Sequence, residues 1–112
     1  MLSHKITVKG KDYDCRLSAK ACVELEKKLG TNPLNIFMEI AQKGQVPSVE
    51  VLITILQASL IQFNHGMSMD KTYELYDDFV DEGHNIMDLV PELLEIFKVS
   101  GLIPEADEVK NA

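Results

Sequence analysis

The spacing of apolar and polar positions changes once along this chain, after the first sixteen residues. Residues 5–16 alternate with period two around a glycine, which predicts a β-hairpin. The remaining sequence places apolar residues at helical spacing between capping side chains and glycine stops. Five helices are predicted: Ala19–Leu29, Pro33–Gln42, Ser48–Asn64, a fourth between Ser68 and Gly83, and Leu89–Ser100. The predicted fold is mainly α, a five-helix small domain with an N-terminal β-hairpin and a central third helix.

The hairpin loop is predicted to be Gly10–Lys11, because glycine at the first loop position fits a type II′ turn. This loop sets a register in which Val8 faces Tyr13 and Ile6 faces Cys15. These four side chains then share one face of the hairpin. That face must rest on the helices or on another subunit, since an isolated hairpin is marginally stable in water.

The third predicted helix is apolar around nearly its whole circumference. Its side chains form two stripes at about 100° per residue: Leu52, Ile55, Leu56 and Ser59 on one, and Ile53, Leu60 and Phe63 on the other. A helix that is apolar all round must be buried on all sides. Either the other helices wrap it completely, or one stripe meets another chain.

The other helices show one apolar side each. In the second predicted helix the inward residues are Leu34, Phe37, Ile40 and Ala41. In the fourth, one side carries Met69, Tyr73, Tyr76 and Val80. In the fifth, Pro91 is assigned to the first turn with Asp88 as the cap, because a proline in mid-helix costs about 3 kcal/mol.

Length and charge indicate one domain with two unlike halves. The chain has 112 residues, of which 1–103 are expected to form the helical domain and 104–112 a flexible acidic tail. Residues 1–64 hold 8 basic and 6 acidic residues, a net charge of +2, while residues 65–112 hold 3 and 12, a net charge of −9. The acidic half disfavours nucleic-acid binding. It either keeps the protein soluble or meets the nearly neutral half of another copy, head to tail.

The sequence carries no pattern typical of catalysis or of a bound cofactor or metal. The three histidines occupy loop or terminal positions, and Cys15 and Cys22 form no CxxC pair. The acidic run near Gly83 lacks the ligand spacing of a calcium loop. No secretion leader is visible, and the longest charge-free run, Val51–His65, is too short and polar to cross a bilayer. We therefore expect a soluble cytoplasmic protein that is not an enzyme.

The stretch Glu24–Leu34, which reads ELEKKLGTNPL, resembles the N-terminal part of the tail assembly chaperones of long-tailed phages and prophages of Gram-positive bacteria. A second, weaker match is VSGLIP at Val99–Pro104. The resemblance extends over about residues 5–103 in the order and type of elements. It implies a protein that coats the tape-measure protein in the cytoplasm of the bacterial host and keeps it soluble while tail-tube subunits polymerise. It also implies absence from the mature virion.

The implied partners are the tape-measure protein, the tail-tube protein and further copies of the chain, with no nucleic acid and no membrane. Binding would use apolar faces, and the predicted partner-binding residues are Leu52, Ile53, Ile55, Leu56, Leu60, Phe63, Met69, Tyr73 and Tyr76. The methionines have two possible roles. They either contact the tape-measure protein, since methionine side chains adapt to varied partners, or fill the core. The alternative function is a small acidic inhibitor or nucleic-acid mimic, which the charge of the second half favours.

Overall fold

The computed structural model of the protein describes residues 2–103, and the predicted acidic tail lies outside them. Two strands precede five helices: β1 (His4–Val8), β2 (Lys11–Cys15), α1 (Ala19–Leu29), α2 (Leu34–Lys43), α3 (Val49–Leu60), α4 (Met69–Asp81) and α5 (Ile86–Val99). The strands pair antiparallel as an N-terminal hairpin. The predicted fold class is therefore confirmed.

Helix α3 lies at the centre of the domain, as predicted, and contacts α1, α4, α5 and β2. The helix ends at Leu60, four residues before the predicted end, and residues 61–66 form turns. The Asn64 side chain explains this end. Its Nδ2 donates to the carbonyls of Leu60 and Asp14, each at 2.9 Å. These bonds satisfy a terminal helix carbonyl and tie the turn to the hairpin.

The hairpin register differs from the prediction. Both Lys9 and Gly10 have positive φ, 50° and 75°, which identifies the loop as Lys9–Gly10 in a type I′ turn. Consequently Ile6 faces Tyr13 and Val8 faces Lys11. Moving the loop by one residue moves the strand partners by two, so the side-chain faces are unchanged. The apolar face is buried as predicted and packs against the helices.

Contacts with α4 account for the left-handed conformation of Lys9. Its backbone N–H donates to Glu82 Oε1 at 2.6 Å, and its Nζ lies 3.0 Å from Asp78 Oδ1. Asp78 most of all, and Asp81 to a lesser degree, raise the pKa of the Lys9 ammonium. The turn is thereby fixed against the end of α4.

Local caps set the helix starts. Helix α1 has the predicted bounds: Ser18 Oγ accepts from the N–H of Ala21. Helix α5 begins three residues earlier than predicted, because Asn85 and Asp88 form a capping box. Asp88 therefore accepts the N–H of Asn85 from a position inside the helix, and the prediction that Asp88 precedes the helix as its cap is wrong. Pro91 lies in the second turn on an exposed side, where water can reach the carbonyl that it leaves unbonded.

Candidate partner-binding surfaces

Helix α2 is apolar but buries none of its residues. It is held at its start by the Asn32 side chain, which accepts from the N–H of Leu34 at 2.9 Å. Left-handed Gly44 ends it. Its main aromatic contact is between Phe37 and the buried Phe97 of α5, with ring centroids 4.8 Å apart and an edge-on angle of 74°. Helix α2 is therefore attached to the domain through one partly covered side.

An open groove runs between α2 and α5. We call it the α2–α5 groove; it has a volume of about 450 Å³ and is lined by Leu34, Phe37, Met38, Ile40, Ala41, Val90, Leu94 and Ile103. Every lining residue is apolar. Met38 is 52% exposed. Of the residues predicted to face inward, Leu34 and Phe37 pack against the core, whereas Ala41 is exposed and the prediction is wrong for it. The groove presents the chemistry that accepts the apolar face of a helix.

The predicted partner-binding residues of α3 lie in the core instead. The buried members are Leu52, Ile53, Ile55, Leu56 and Leu60, none more than 3% exposed. Both stripes are covered because α1, α4, α5 and β2 surround the helix. The expectation that one stripe is free for a partner is therefore wrong for these five side chains. Phe63, which follows the helix in a turn, is exposed.

The side of helix α4 that is buried in the core is not the apolar side that stands out in the sequence. Its buried residues are Thr72, Leu75 and Phe79. Thr72 hid this side in the sequence, because its hydroxyl is polar but is satisfied by donating to the Ser68 carbonyl at 2.8 Å. Of the predicted binding residues, Met69 and Tyr76 pack half-buried against the core, whereas Tyr73 is 37% exposed.

The ionisable groups of the described residues form no reactive cluster. Burial raises the pKa of the Cys15 thiol to about 12, so at neutral pH it is protonated and a poor nucleophile. Partial burial also raises the pKa of Cys22, and burial together with Asp77 and Asp88 raises that of Tyr76. Within residues 2–103, no three His, Cys, Asp or Glu side chains gather as metal ligands would. In the same range, no helix combines the length and apolar character that a membrane crossing requires.

Sequence reasoning missed the α2–α5 groove. Two signals pointed to it. Six of the ten residues of α2 are apolar, more than a single inward stripe needs, and α5 carries Val90 and Leu94 beside its fully buried Leu93. The sequence does not show that these additional apolar residues of α2 and α5 lie next to each other.

The fold and these surfaces define a small helical protein with an N-terminal hairpin and an apolar groove between two helices. The chain belongs to a family of unknown function, DUF6096, whose model matches residues 3–111. No curated protein and no solved structure matches the chain.

Proposed function

We propose that the chain is a phage tail assembly chaperone that binds and solubilises the tape-measure protein during tail morphogenesis, and that it self-associates. It acts by binding and not by catalysis. The tail-tube protein is a further candidate partner, whereas nucleic acid and membranes are not. Its place of action is the cytoplasm of the bacterial host, and the mature virion does not retain it.

The α2–α5 groove carries this proposal. A tape-measure protein is a long helical client, and an amphipathic helix binds by placing apolar side chains at i, i+3 or i+4, and i+7 into a groove of this kind. The groove offers aromatic, branched and methionine side chains to such a face. It opens beside α2, which buries no residue and can therefore adjust to different client segments at small cost. Met38 adds an adaptable contact.

The proposal is tested by co-expressing the chain with the tape-measure protein of the same phage or prophage genome. Met38→Glu places a charge in the groove without disturbing the core, since Met38 is half exposed. We expect its affinity for the tape-measure protein to fall at least about tenfold, because burial of a methionine side chain contributes about 1.5–3 kcal/mol. The readouts are the soluble fraction of the tape-measure protein and its co-purification with the chain.

Val46→Glu is the matched control. Its exposed fraction, 51%, is similar to the 52% of Met38. Val46 lies in the connection between α2 and α3, however, and does not line the groove. It should bind the tape-measure protein like the unsubstituted chain. If the tape-measure protein stays insoluble even with the unsubstituted chain, the proposed function is wrong. If both glutamate variants bind equally well, the client uses another surface.

The alternative function, an acidic inhibitor or nucleic-acid mimic, has one observation in its favour. The outer side of α4 exposes Asp70, Glu74 and Asp77, which form no ion pair with another described residue. A mimic would bind a basic protein through these carboxylates. Its binding would then weaken with Asp77→Asn and remain unchanged with Met38→Glu, the opposite of the chaperone result.

A further inference from the structure

A second groove, lined by none of the residues of the α2–α5 groove, lies between α1 and the end of α3. We call it the α1–α3 groove; its volume is about 430 Å³. Ala21 and Leu25 of α1 and Ala58 of α3 contribute apolar surface to it, as does Ile61 just after α3. Ile61 is 51% exposed. The groove thus leaves a branched apolar side chain half in water.

The rim of the α1–α3 groove is basic. Arg16, Lys20 and Lys28 line it, against the one acidic lining residue Glu24. Lys20 and Lys28 form no ion pair with another described residue. Arg16 Nη1 donates to two backbone carbonyls at 3.0 and 3.2 Å, and no carboxylate among the described residues pairs with it. An acidic, partly apolar surface therefore suits this groove best.

The outer side of α4 is such a surface. Tyr73, Asp77 and Val80 recur at i, i+4 and i+7 and share one face, with Asp70 and Glu74 beside them. We call these five residues the α4 acidic face. Tyr73 is 37% and Val80 41% exposed, and the three carboxylates are unpaired among the described residues. The face combines two apolar anchors with three negative charges.

We propose that the α4 acidic face of one copy docks into the α1–α3 groove of a second copy. Tyr73 and Val80 cover the apolar groove, and the carboxylates lie opposite Lys20 and Lys28. The proposal rests on the self-association part of the proposed function and is independent of client binding, because neither surface includes a residue of the α2–α5 groove. The two surfaces share no residue, so the contact is head to tail and builds open chains or closed rings.

Two variants, one per surface, test the proposal by sedimentation velocity at low salt. Ile61→Glu blocks the groove, and the double variant Tyr73→Ser with Val80→Ser removes the apolar anchors of the face. Each alone should weaken self-association at least about tenfold, since each removes apolar burial from the contact. Mixed together, they should form a 1:1 dimer that does not grow, because the mixture holds one intact groove and one intact face. Raising the salt from about 0.05 M to about 0.5 M should dissociate the unsubstituted assembly.

Val46→Glu, as exposed as Ile61 but outside both surfaces, is the matched control and should associate like the unsubstituted chain. If Ile61→Glu lowers the melting temperature, Lys20→Gln with Lys28→Gln replaces it, since both lysines are exposed. An assembly that neither surface variant weakens, or a mixture that stays monomeric, overturns the head-to-tail interface alone. An unsubstituted chain that is monomeric overturns self-association as well, while client binding is decided separately by Met38→Glu.

Discussion

Helices α2 and α3 have similar apolar content and opposite surroundings. Apolar residues make up six of the ten positions in α2 and eight of the twelve in α3. Eight residues of α3 are buried, whereas α2 buries none. The difference comes from position: α3 has neighbours on every side, while α2 rests mainly on α5 through Phe37. An apolar helix face indicates that something covers it, and the topology decides whether the same chain does so.

The two helices therefore differ in what their apolar side chains stabilise. A fully buried leucine or isoleucine of α3 contributes about 1.5–3 kcal/mol through removal from water. The α2 side chains stay partly in water and contribute less to the fold. Their remaining exposed surface is the part that a partner can still bury, which is why the proposed client site lies on α2.

The largest expected effect compares one side chain from each helix. Leu52 of α3 is fully buried, and Leu52→Ala should lower the free energy of unfolding by about 2–5 kcal/mol, because it leaves a cavity. Met38→Ala in α2 should change it by about 0.5 kcal/mol or less. Urea unfolding followed by circular dichroism measures both. Equal losses from the two variants would contradict the contrast between the helices.

A smaller effect is expected in native-state hydrogen exchange. The amides of α2 should exchange through local opening at a free energy about 2 kcal/mol below that of global unfolding, a protection about 30-fold lower than in α3. The reason is that α2 has no fully buried residue of its own, so its detachment exposes less apolar surface than the loss of α3 would. Exchange resolved by residue with NMR measures this. A common opening energy for both helices would show that α2 belongs to the same cooperative unit.

A third effect, seen only at alkaline pH, is a pH dependence in the buried region beside α3. Cys15 is fully buried, and burial raises its pKa from 9.0 to about 12. Between these values the unfolded chain releases a proton that the folded chain keeps, so stability is present below about pH 9 and is lost as the pH rises. The free energy of unfolding should fall by up to about 1.4 kcal/mol per pH unit in that range.

Cys15→Ala should remove most of this slope, and unfolding titrations between about pH 8 and pH 11 measure the difference. Cys22→Ala is the control, since Cys22 lies on α1 and is only partly buried, and partial burial raises its pKa. If the free energy of unfolding has the same pH slope in both variants, the Cys15 thiol is no more shielded from water than the Cys22 thiol.

Predictions that depended on local chemistry agree best with the structure. The bounds of α1 were predicted because a serine cap and a glycine stop lie on either side of one apolar stripe. The apolar face of the hairpin was predicted even though its register was wrong, since faces follow period two whichever loop is chosen. The start of α5 was missed because proline and capping signals competed, and the capping box of Asn85 and Asp88 prevailed.

Predictions that depended on which elements become neighbours were less successful. The core-facing side of α4 was not predicted, because a buried Thr72 satisfied by Ser68 looks polar in the sequence. The candidate site moved from α3 to the α2–α5 groove for a similar reason. Helix α3 was recognised as apolar all round and α2 as apolar on one side, yet the groove exists only because α2 meets α5 along one partly covered side.

The sequence by itself determined the element order, the mainly helical class, the central place of α3 and the unequal charge of the two halves. These follow from periodicity, capping and composition, which act over a few residues or over the whole chain. Only the tertiary structure decided that α3 is buried on all sides from Ile55 to Leu60, that α2 is not, and that the basic α1–α3 groove and the α4 acidic face are separate surfaces. Burial depends on neighbours distant in sequence, and no local pattern states which neighbours a helix will have.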